Sequence, residues 1–111
     1  MSQTIIISKG NDVIIYGTVI DPSTNLPIDL TNYSARCEIK QKAGIELISG
    51  TVTITNSSQG LIQIYFPAGS TILLEPKTDY FIDVEFTDSL GRKFNFPKPP
   101  SAVIVYERIT D

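Results

Sequence analysis

Apolar and polar residues alternate along several short segments of the chain. In residues 35–41, Cys37 and Ile39 point one way while charged neighbours point the other, and the same period of two runs through residues 51–55 and 80–87. Successive side chains of a strand point to opposite faces of a sheet, so this alternation is typical of a strand with one buried face. The pattern predicts antiparallel strands packed on one core.

Other segments are apolar on both faces, mainly residues 12–20 and 102–109, with shorter examples at 61–66 and 5–7. Such strands need a second covering layer or a partner. We expect their side chains to form a contact surface, and residues 4–7 to add a strand to a neighbour's sheet. The candidate interface residues are Ile5, Ile7, Ile14, Tyr16, Ile20, Ile104 and Tyr106.

Turn-forming residues divide these segments, and residues 97–100, which include three prolines, are expected to run as an extended crossover outside any ladder. Gly17 lies within a predicted strand and indicates a bulge or a close backbone approach. No segment shows a helical apolar period. About seven or eight short strands with little or no helix predict an all-β sandwich or barrel.

The length of the chain indicates a single domain, and its charge bears on which partners it can bind. The 111 residues form one predicted domain, residues 1–111, and the net charge is −3 with the two signs interspersed. This charge favours neither nucleic acid nor an anionic membrane as a partner. No secretory signal or membrane-spanning stretch is recognisable, so we expect synthesis in the cytoplasm.

Residues 74–84 read Leu-Glu-Pro-Lys-Thr-Asp-Tyr-Phe-Ile-Asp-Val. This segment resembles the tyrosine corner of fibronectin type III and related immunoglobulin-like sandwiches, where a buried tyrosine hydroxyl satisfies the backbone of a chain crossing between sheets. The resemblance implies that Tyr80 is the corner residue, Leu74 its packing partner and Pro76 the rigid bend. It makes the expected fold an antiparallel immunoglobulin-like β-sandwich.

A wider resemblance covers most of the chain. A polar turn at residues 9–12 precedes a long strand, a loop ends in Asp29-Leu30-Thr31, Gly60 precedes a strand, and a Ser-x-Gly turn occupies residues 89–91. The whole resembles the N-terminal domain of phage baseplate upper proteins. That resemblance implies a structural role in a tail, baseplate or virion, without the receptor-binding region found in such proteins.

The residues that usually carry chemistry are scarce. Histidine is absent and Cys37, the only cysteine, lies on an inward-facing position, which favours a small buried hydrophobe over a nucleophile. Most carboxylates fit a solvated face or a turn, and a calcium site joining Asp21 with Asp88 is the alternative. We therefore expect no enzyme, no catalytic residues, no cofactor and no metal.

Two functions remain open. The first is a structural or assembly protein that contacts other protein subunits, as a homo-oligomer or as a virion component. The second is a carbohydrate-binding or adhesion module, for which Tyr16, Tyr65, Phe81 and Tyr106 are the aromatic side chains that could face outward.

Overall fold

The computed structural model describes three stretches of the chain, residues 5–41, 46–74 and 80–106. The side chains of residues 46, 97–102 and 104–106 are outside this description. The strands are β1 Ile5–Ser8, β2 Val13–Thr18, β3 Ile20–Asp21, β4 Leu26–Pro27, β5 Ser34–Gln41, β6 Glu46–Asn56, β7 Leu61–Phe66, β8 Tyr80–Thr87 and β9 Lys93–Tyr106. A 3₁₀ turn, Ser57–Gln59, and a short helix, α1 Ala68–Thr71, complete the described elements.

Seven strands follow one another in the order β1-β9-β8-β5-β6-β7-β2, while β3 and β4 form a separate two-stranded ribbon. Strand β6 belongs to two layers: its first half pairs with β5, and its second half, from Thr51, pairs with β7. We call the layer of β1, β9, β8, β5 and the first half of β6 sheet A. Sheet B consists of the second half of β6, β7 and β2.

The two sheets share one core. Ile39 and Phe86 of sheet A and Ile62 and Phe66 of sheet B belong to a single cluster of buried side chains. Every neighbouring pair is antiparallel except β1 and β9, which are parallel. Two mainly antiparallel layers around a common core are the architecture of an immunoglobulin-like β-sandwich, so the predicted fold class is confirmed.

Gly50 lies where β6 leaves sheet A and enters sheet B. An added Cβ at this position would stand 2.8 Å from Cε1 of the buried Phe66 ring. A glycine is therefore required here by close packing and not by an unusual backbone angle. This absence of a side chain lets the strand pass over the ring and connect both layers.

Gly60 fixes the loop end of sheet B. Its φ is +67°, and an added Cβ would meet the carbonyl oxygens of Val19 and Ile28 at 2.8 Å. The N–H of Val19 donates to the carbonyl of Gly60, and the N–H of Ile28 donates to the carbonyl of Val19. The glycine that precedes β7 in the sequence thus joins the β2 end, the β6–β7 turn and the long loop before β5.

Thr71 and Asp12 join the opposite end of the sandwich. The buried Thr71 hydroxyl accepts from the N–H of Gly10 at 3.1 Å and donates to the carbonyl of Asn11 at 2.7 Å. Asp12 accepts from the N–H of Ala68 at 2.7 Å. These bonds hold the β1–β2 turn against α1, the short helix that follows β7.

The C-terminal prediction is partly wrong. Residues 93–96 and 101–103 both pair with β8, and β9 runs through the intervening prolines without changing sheets. Residues 97–100 lie opposite a register shift between Ile82 and Val84. Proline has no N–H to donate, so the ladder is interrupted while the chain stays extended. The expected crossover is a bulge within one strand.

The N-terminal predictions also need correction. β1 pairs with β9 of its own chain, so its paired edge is not free to extend a neighbour's sheet, and Ile7 is fully buried in the core. The predicted strand over residues 12–20 ends at Thr18. Gly17 pairs with Ile62 in regular register, and a Cβ there would make only an ordinary 3.8 Å contact, so it marks no bulge.

Among the described helices, none has the length and apolar character that a membrane crossing needs.

Candidate functional site

The outer face of sheet B is the most distinctive surface of the described chain. The strand register arranges its side chains in rows across β2, β7 and β6. Two rows run across all three strands, Ile14–Tyr65–Thr51 and Tyr16–Gln63–Thr53. Thr18 pairs with Leu61, which pairs with Asn56 after a register shift, and the Thr55 hydroxyl donates to the Leu61 carbonyl. None of these residues is ionisable near neutral pH, so the surface is free of charge across all three strands.

Several of these side chains are open to solvent. Tyr16 is 73% exposed, Ile14 51% and Leu61 37%, and the three threonines of β6 are exposed as well. A large apolar side chain exposed alone is common on a monomer, and here three such side chains share one face of a sheet. The polar groups between them are hydroxyls and one amide, which both donate and accept hydrogen bonds.

A shallow open depression of about 230 Å³ lies at the Thr18 end of this face. It is lined by Tyr16, Gly17, Thr18, Thr55, Leu61 and Ile62. Sites for drug-sized ligands usually measure about 300–1,000 Å³. The depression therefore has the size to take one side chain or one small ring of a larger partner.

The outer face of sheet A has the opposite character. Glu38 of β5 lies between two cations, 2.6 Å from Arg36 and 3.7 Å from Lys40. Asp83 of β8 lies 3.9 Å from Lys40 and accepts a hydrogen bond of 3.0 Å from Asn95. Lys93 and Glu85 add a contact of 3.5 Å. The charged side chains of this face are paired with one another, as is typical of a face in contact with solvent.

Asp12 is the charged residue at the margin of the sheet B face. Its carboxylate accepts from the hydroxyl of Tyr65 at 3.3 Å. Desolvation raises the pKa of Tyr65, and the negative charge and hydrogen bond of Asp12 raise it further. Tyr65 is therefore anchored in its neutral form, while the ring of Tyr16 is left open.

The structure separates the predicted interface residues into groups. Ile14 and Tyr16 lie exposed on the sheet B face, and Ile5 and Ile20 are half-buried. The side chain of Ile7 is in the core and cannot line a surface. The backbones of Ile104 and Tyr106 lie in β9, but their side chains are outside the described part. Their role as an interface stays a prediction.

The tyrosine-corner residues are placed as follows. Tyr80 opens β8 and is buried, as is Leu74, which follows α1. The corner role assigned to these two residues stays a prediction. Pro76 lies outside the described residues, so the bend assigned to it stays a prediction.

The loop carboxylates cap turns. Asp21 accepts from the hydroxyl and N–H of Ser23, and Asp29 accepts from the same groups of Thr31. Asp88 accepts from the N–H groups of Leu90 and Arg92 and pairs with the Arg92 guanidinium at 2.7 Å. Within the described ranges, no three or more His, Cys, Asp or Glu side chains come together as a metal site.

These hydrogen bonds lower the pKa of each carboxyl. The Ser23 hydroxyl is the main cause for Asp21, and the Thr31 hydroxyl for Asp29. For Asp88, desolvation acts in the raising direction, and the bonds from Arg92 and Leu90 outweigh it. All three are thus suited to stay ionised as turn caps.

Cys37 is fully buried in β5. Desolvation, together with the charges of Asp83 and Glu38, raises the pKa of its thiol to about 12. A thiol that stays protonated at neutral pH is a poor nucleophile. Its place among the core residues is that of a small hydrophobe.

The sequence alone did not single out Leu61, Gln63 and the threonines of β6 as parts of one surface. The outward position of the threonines followed from their alternation with Val52 and Ile54. The missing information was the strand order, which places β6 and β7 beside β2. Alternation gives the face on which a side chain lies, but not its neighbours on the next strand.

Comparisons with known proteins add little. No family model matches the sequence, and no curated protein matches it. Among solved structures, a chain of the ZIG-8–RIG-5 IG1–IG1 heterodimer matches with a TM-score of 0.43 and 10% identity, over 96% of this chain and 84% of that one. These values are too low to argue for a shared function. The immunoglobulin-like class rests on the strand order and core, and the phage baseplate resemblance stays a prediction.

Proposed function

We propose that this protein is a non-enzymatic structural or assembly module that docks on other protein subunits through the outer face of sheet B. The observation that carries the proposal is the contrast between the sandwich's two outer faces. Sheet A presents paired charges, whereas the rows centred on Tyr16, Gln63 and Thr53 present none. Uncharged, partly apolar surfaces are cheap to desolvate and so suit a contact.

The area of the sheet B face limits how strong a contact it can make. Three strands about 4.8 Å apart, each contributing about five residues at 3.3 Å, cover on the order of 250 Å². A stable interface buries about 800 Å² on each partner. This face alone supports a weak contact, and stable attachment requires several copies or further surfaces. Repeated weak contacts gain strength when many copies are held together, as in a large assembly.

A phage tail, baseplate or other virion part is the setting we propose for such an assembly. The support is the sequence resemblance to baseplate upper proteins, together with a charge-free docking face on a small sandwich. Incorporation in a particle would supply the multiplicity that the small face needs. The proposal makes the chain a structural subunit with no reaction of its own.

The test is incorporation into particles. Particles are purified from cells that carry the gene and are banded in a density gradient. We expect the wild-type chain to band with them and a Thr53→Lys variant, which places a charge in the centre of the sheet B face, to be lost. Lys40→Gln, on the sheet A face, is the matched control and should be retained. A wild-type chain that never bands with particles refutes the virion role.

A neutral glycan is the second candidate ligand. The 73% exposed Tyr16 ring lies beside Gln63 in the register, with threonine hydroxyls on the neighbouring strand. An aromatic ring can stack on the apolar face of a sugar while amides and hydroxyls bond its hydroxyl groups. Titration with neutral oligosaccharides, followed by NMR, should then shift the Tyr16 signals and lose effect in Tyr16→Ala. No shift at millimolar sugar concentration would exclude this function.

A further inference from the structure

Strand β2 is the last strand of sheet B, and its outer edge is open in the described part of the chain. Val13–Thr18 pair with β7 on one side, and none of the described strands pairs with the other side. An open edge presents a row of backbone N–H and carbonyl groups without partners in the sheet. Such an edge can receive one more strand.

The hydrogen-bond pattern shows which residues face that edge. The bond of 2.8 Å from the N–H of Val19 to the carbonyl of Gly60 continues the β2–β7 register by one step and marks a hydrogen-bonded pair. In an antiparallel ladder such pairs alternate with non-bonded ones. Val13, Ile15 and Gly17 therefore bond β7, whereas Ile14, Tyr16 and Thr18 turn their backbone groups to the open edge.

The edge has none of the usual features that prevent pairing. Its sequence, Val-Ile-Ile-Tyr-Gly-Thr, contains no charge and no proline, and its pairing with β7 shows no bulge. Natural proteins protect long edges with lysine, proline or a bulge, because an unprotected edge recruits another strand. At the other end of the strand order, β1 is shorter, with four residues. The β2 edge is thus open to pairing with another strand.

We propose that β2 pairs antiparallel with β2 of a second copy of this chain, forming one continuous sheet across a two-fold axis. This inference deepens the proposed assembly function by naming its first partner. Centring the pairing on Tyr16 places Ile14 opposite Thr18 of the other copy. All the edge-facing backbone groups of both strands then find partners, and the two Tyr16 residues lie opposite each other on the outer face.

The chemistry of the strand favours a second copy over a charged partner. An isologous contact sets a strand against its own copy, which brings like charges together in a charged strand and costs nothing of this kind in an uncharged one. The chain as a whole carries −3, yet β2 contributes nothing to that charge. The backbone supplies donors and acceptors in equal number, so identical strands satisfy each other. The joined sheets also double the area of the outer face.

Proline substitutions test the pairing through the backbone. Ile14→Pro removes an edge-facing N–H and spares the bonds to β7, so we expect a folded monomer. Ile15→Pro is the matched control, since it removes an N–H that bonds β7 and should impair folding. Sedimentation velocity across a range of about 10 µM to 1 mM, suited to weak association, should show a wild-type dimer and at least a tenfold weaker one in Ile14→Pro. A folded Ile14→Pro variant that dimerises like wild type overturns the proposal.

Amide hydrogen exchange gives a second measurement that does not depend on a variant. We expect the amides of Ile14, Tyr16 and Thr18 to gain protection as the wild-type concentration rises, while those of Val13, Ile15 and Gly17 are protected throughout. Equal behaviour of the two sets, or a wild-type monomer at the highest concentration, overturns edge pairing.

The Thr53→Lys variant separates this inference from the proposed function. Thr53 lies on the outer face two strands away from the edge, so its charge should leave edge pairing intact while removing the chain from particles. If Thr53→Lys prevents particle incorporation but wild type never dimerises, the docking face stands and the edge pairing fails. If dimers form but particles never contain the chain, edge pairing stands and the virion role fails.

Discussion

The two outer faces of this sandwich differ in the charge and hydrogen bonding of their polar side chains. On sheet A, Glu38 and Asp83 each neighbour a cation or an amide donor, so the face is complete in water. On sheet B, three exposed threonines, the half-buried Gln63 and the open Tyr16 carry no charge. Strands that share one core thus carry one outer face of paired charges and one without charge, and this difference supports the proposal that sheet B is the contact surface.

Among the substitutions considered, Gly60→Ala should weaken sheet B most strongly relative to sheet A. The new Cβ would meet two carbonyl oxygens at 2.8 Å while φ is +67°. We expect a loss of about 3 kcal/mol, combining left-handed strain with overpacking. Urea unfolding measures the loss, and hydrogen exchange should show sheet B opening first.

Gly91→Ala is the control for this prediction. Its φ is +82°, but nothing lies within 4 Å of the added Cβ. It carries the strain without the clash and should cost about 1–2 kcal/mol. Equal losses in the two variants would show that the contacts of Gly60 with Val19 and Ile28 are unimportant.

Gly50→Ala tests the connection between the faces. Its Cβ would press on the buried Phe66 ring, so we expect destabilisation of about 1–3 kcal/mol by overpacking. Gly69→Ala, where an added Cβ meets nothing within 4 Å, is the neutral control. Thermal unfolding of both variants measures the difference. If Gly50→Ala did not change stability, the packing of β6 against the Phe66 ring would not require a glycine.

Much of the sandwich was predictable because its core strands alternate cleanly. β8 coincides with the alternating segment predicted at residues 80–87, since alternation directly encodes a strand with one buried face. β7 coincides with the segment at residues 61–66, which was predicted as apolar on both faces and in fact buries alternate side chains. The C-terminal strand was harder. Prolines stop ladder bonds, which looks in sequence like a break between strands, but an extended proline segment can stay in line as a bulge.

The candidate site was predictable only in part. Ile14 and Tyr16 were expected on a second apolar face and do lie exposed, whereas Ile7, from an equally apolar segment, is in the core. A short apolar run gives no register, so its buried and exposed members cannot be told apart. The threonine surface of β6 required the strand order, which follows from long-range pairing that local patterns do not contain.

Charge substitutions on the two faces should change the free energy of unfolding less than the glycine substitutions do. Thr53→Lys and Lys40→Gln should each change the free energy of unfolding by less than about 1 kcal/mol, since both positions are on the surface. Chemical denaturation checks this. A large loss in Thr53→Lys would show that the sheet B face is part of the fold and not a free surface.

Acid and salt give the smallest effects. The lowered pKa values of Asp21, Asp29 and Asp88 mean that their ionised forms stabilise the fold above the ordinary carboxyl pKa, near 4, and that this stability is lost as the pH falls through the lowered values. Urea midpoints between pH 3 and 7 should fall at the acid end, and less so in Asp29→Asn. Midpoints unaffected by acid would contradict the turn-cap assignment.

Association through sheet B, unlike the stability of the fold, should be insensitive to pH and to salt. The face contains no titrating group near neutral pH, so binding should vary little from pH 6 to 8 or when the ionic strength rises from about 0.1 M to 0.5 M. Sedimentation under these conditions measures it. A strong decrease with salt would assign the contact to charged residues, and so to the face of sheet A.

Hydroxyl-radical footprinting tests the docking face most directly, because Tyr16 on sheet B and Phe81 on sheet A report on the two faces in one experiment. The chain is labelled in dilute solution and in its assembled state, whether concentrated or in particles. We predict that oxidation of Tyr16 falls on assembly while that of Phe81 is unchanged. Protection of Phe81 with Tyr16 still reactive would contradict the assignment of sheet B as the contact surface.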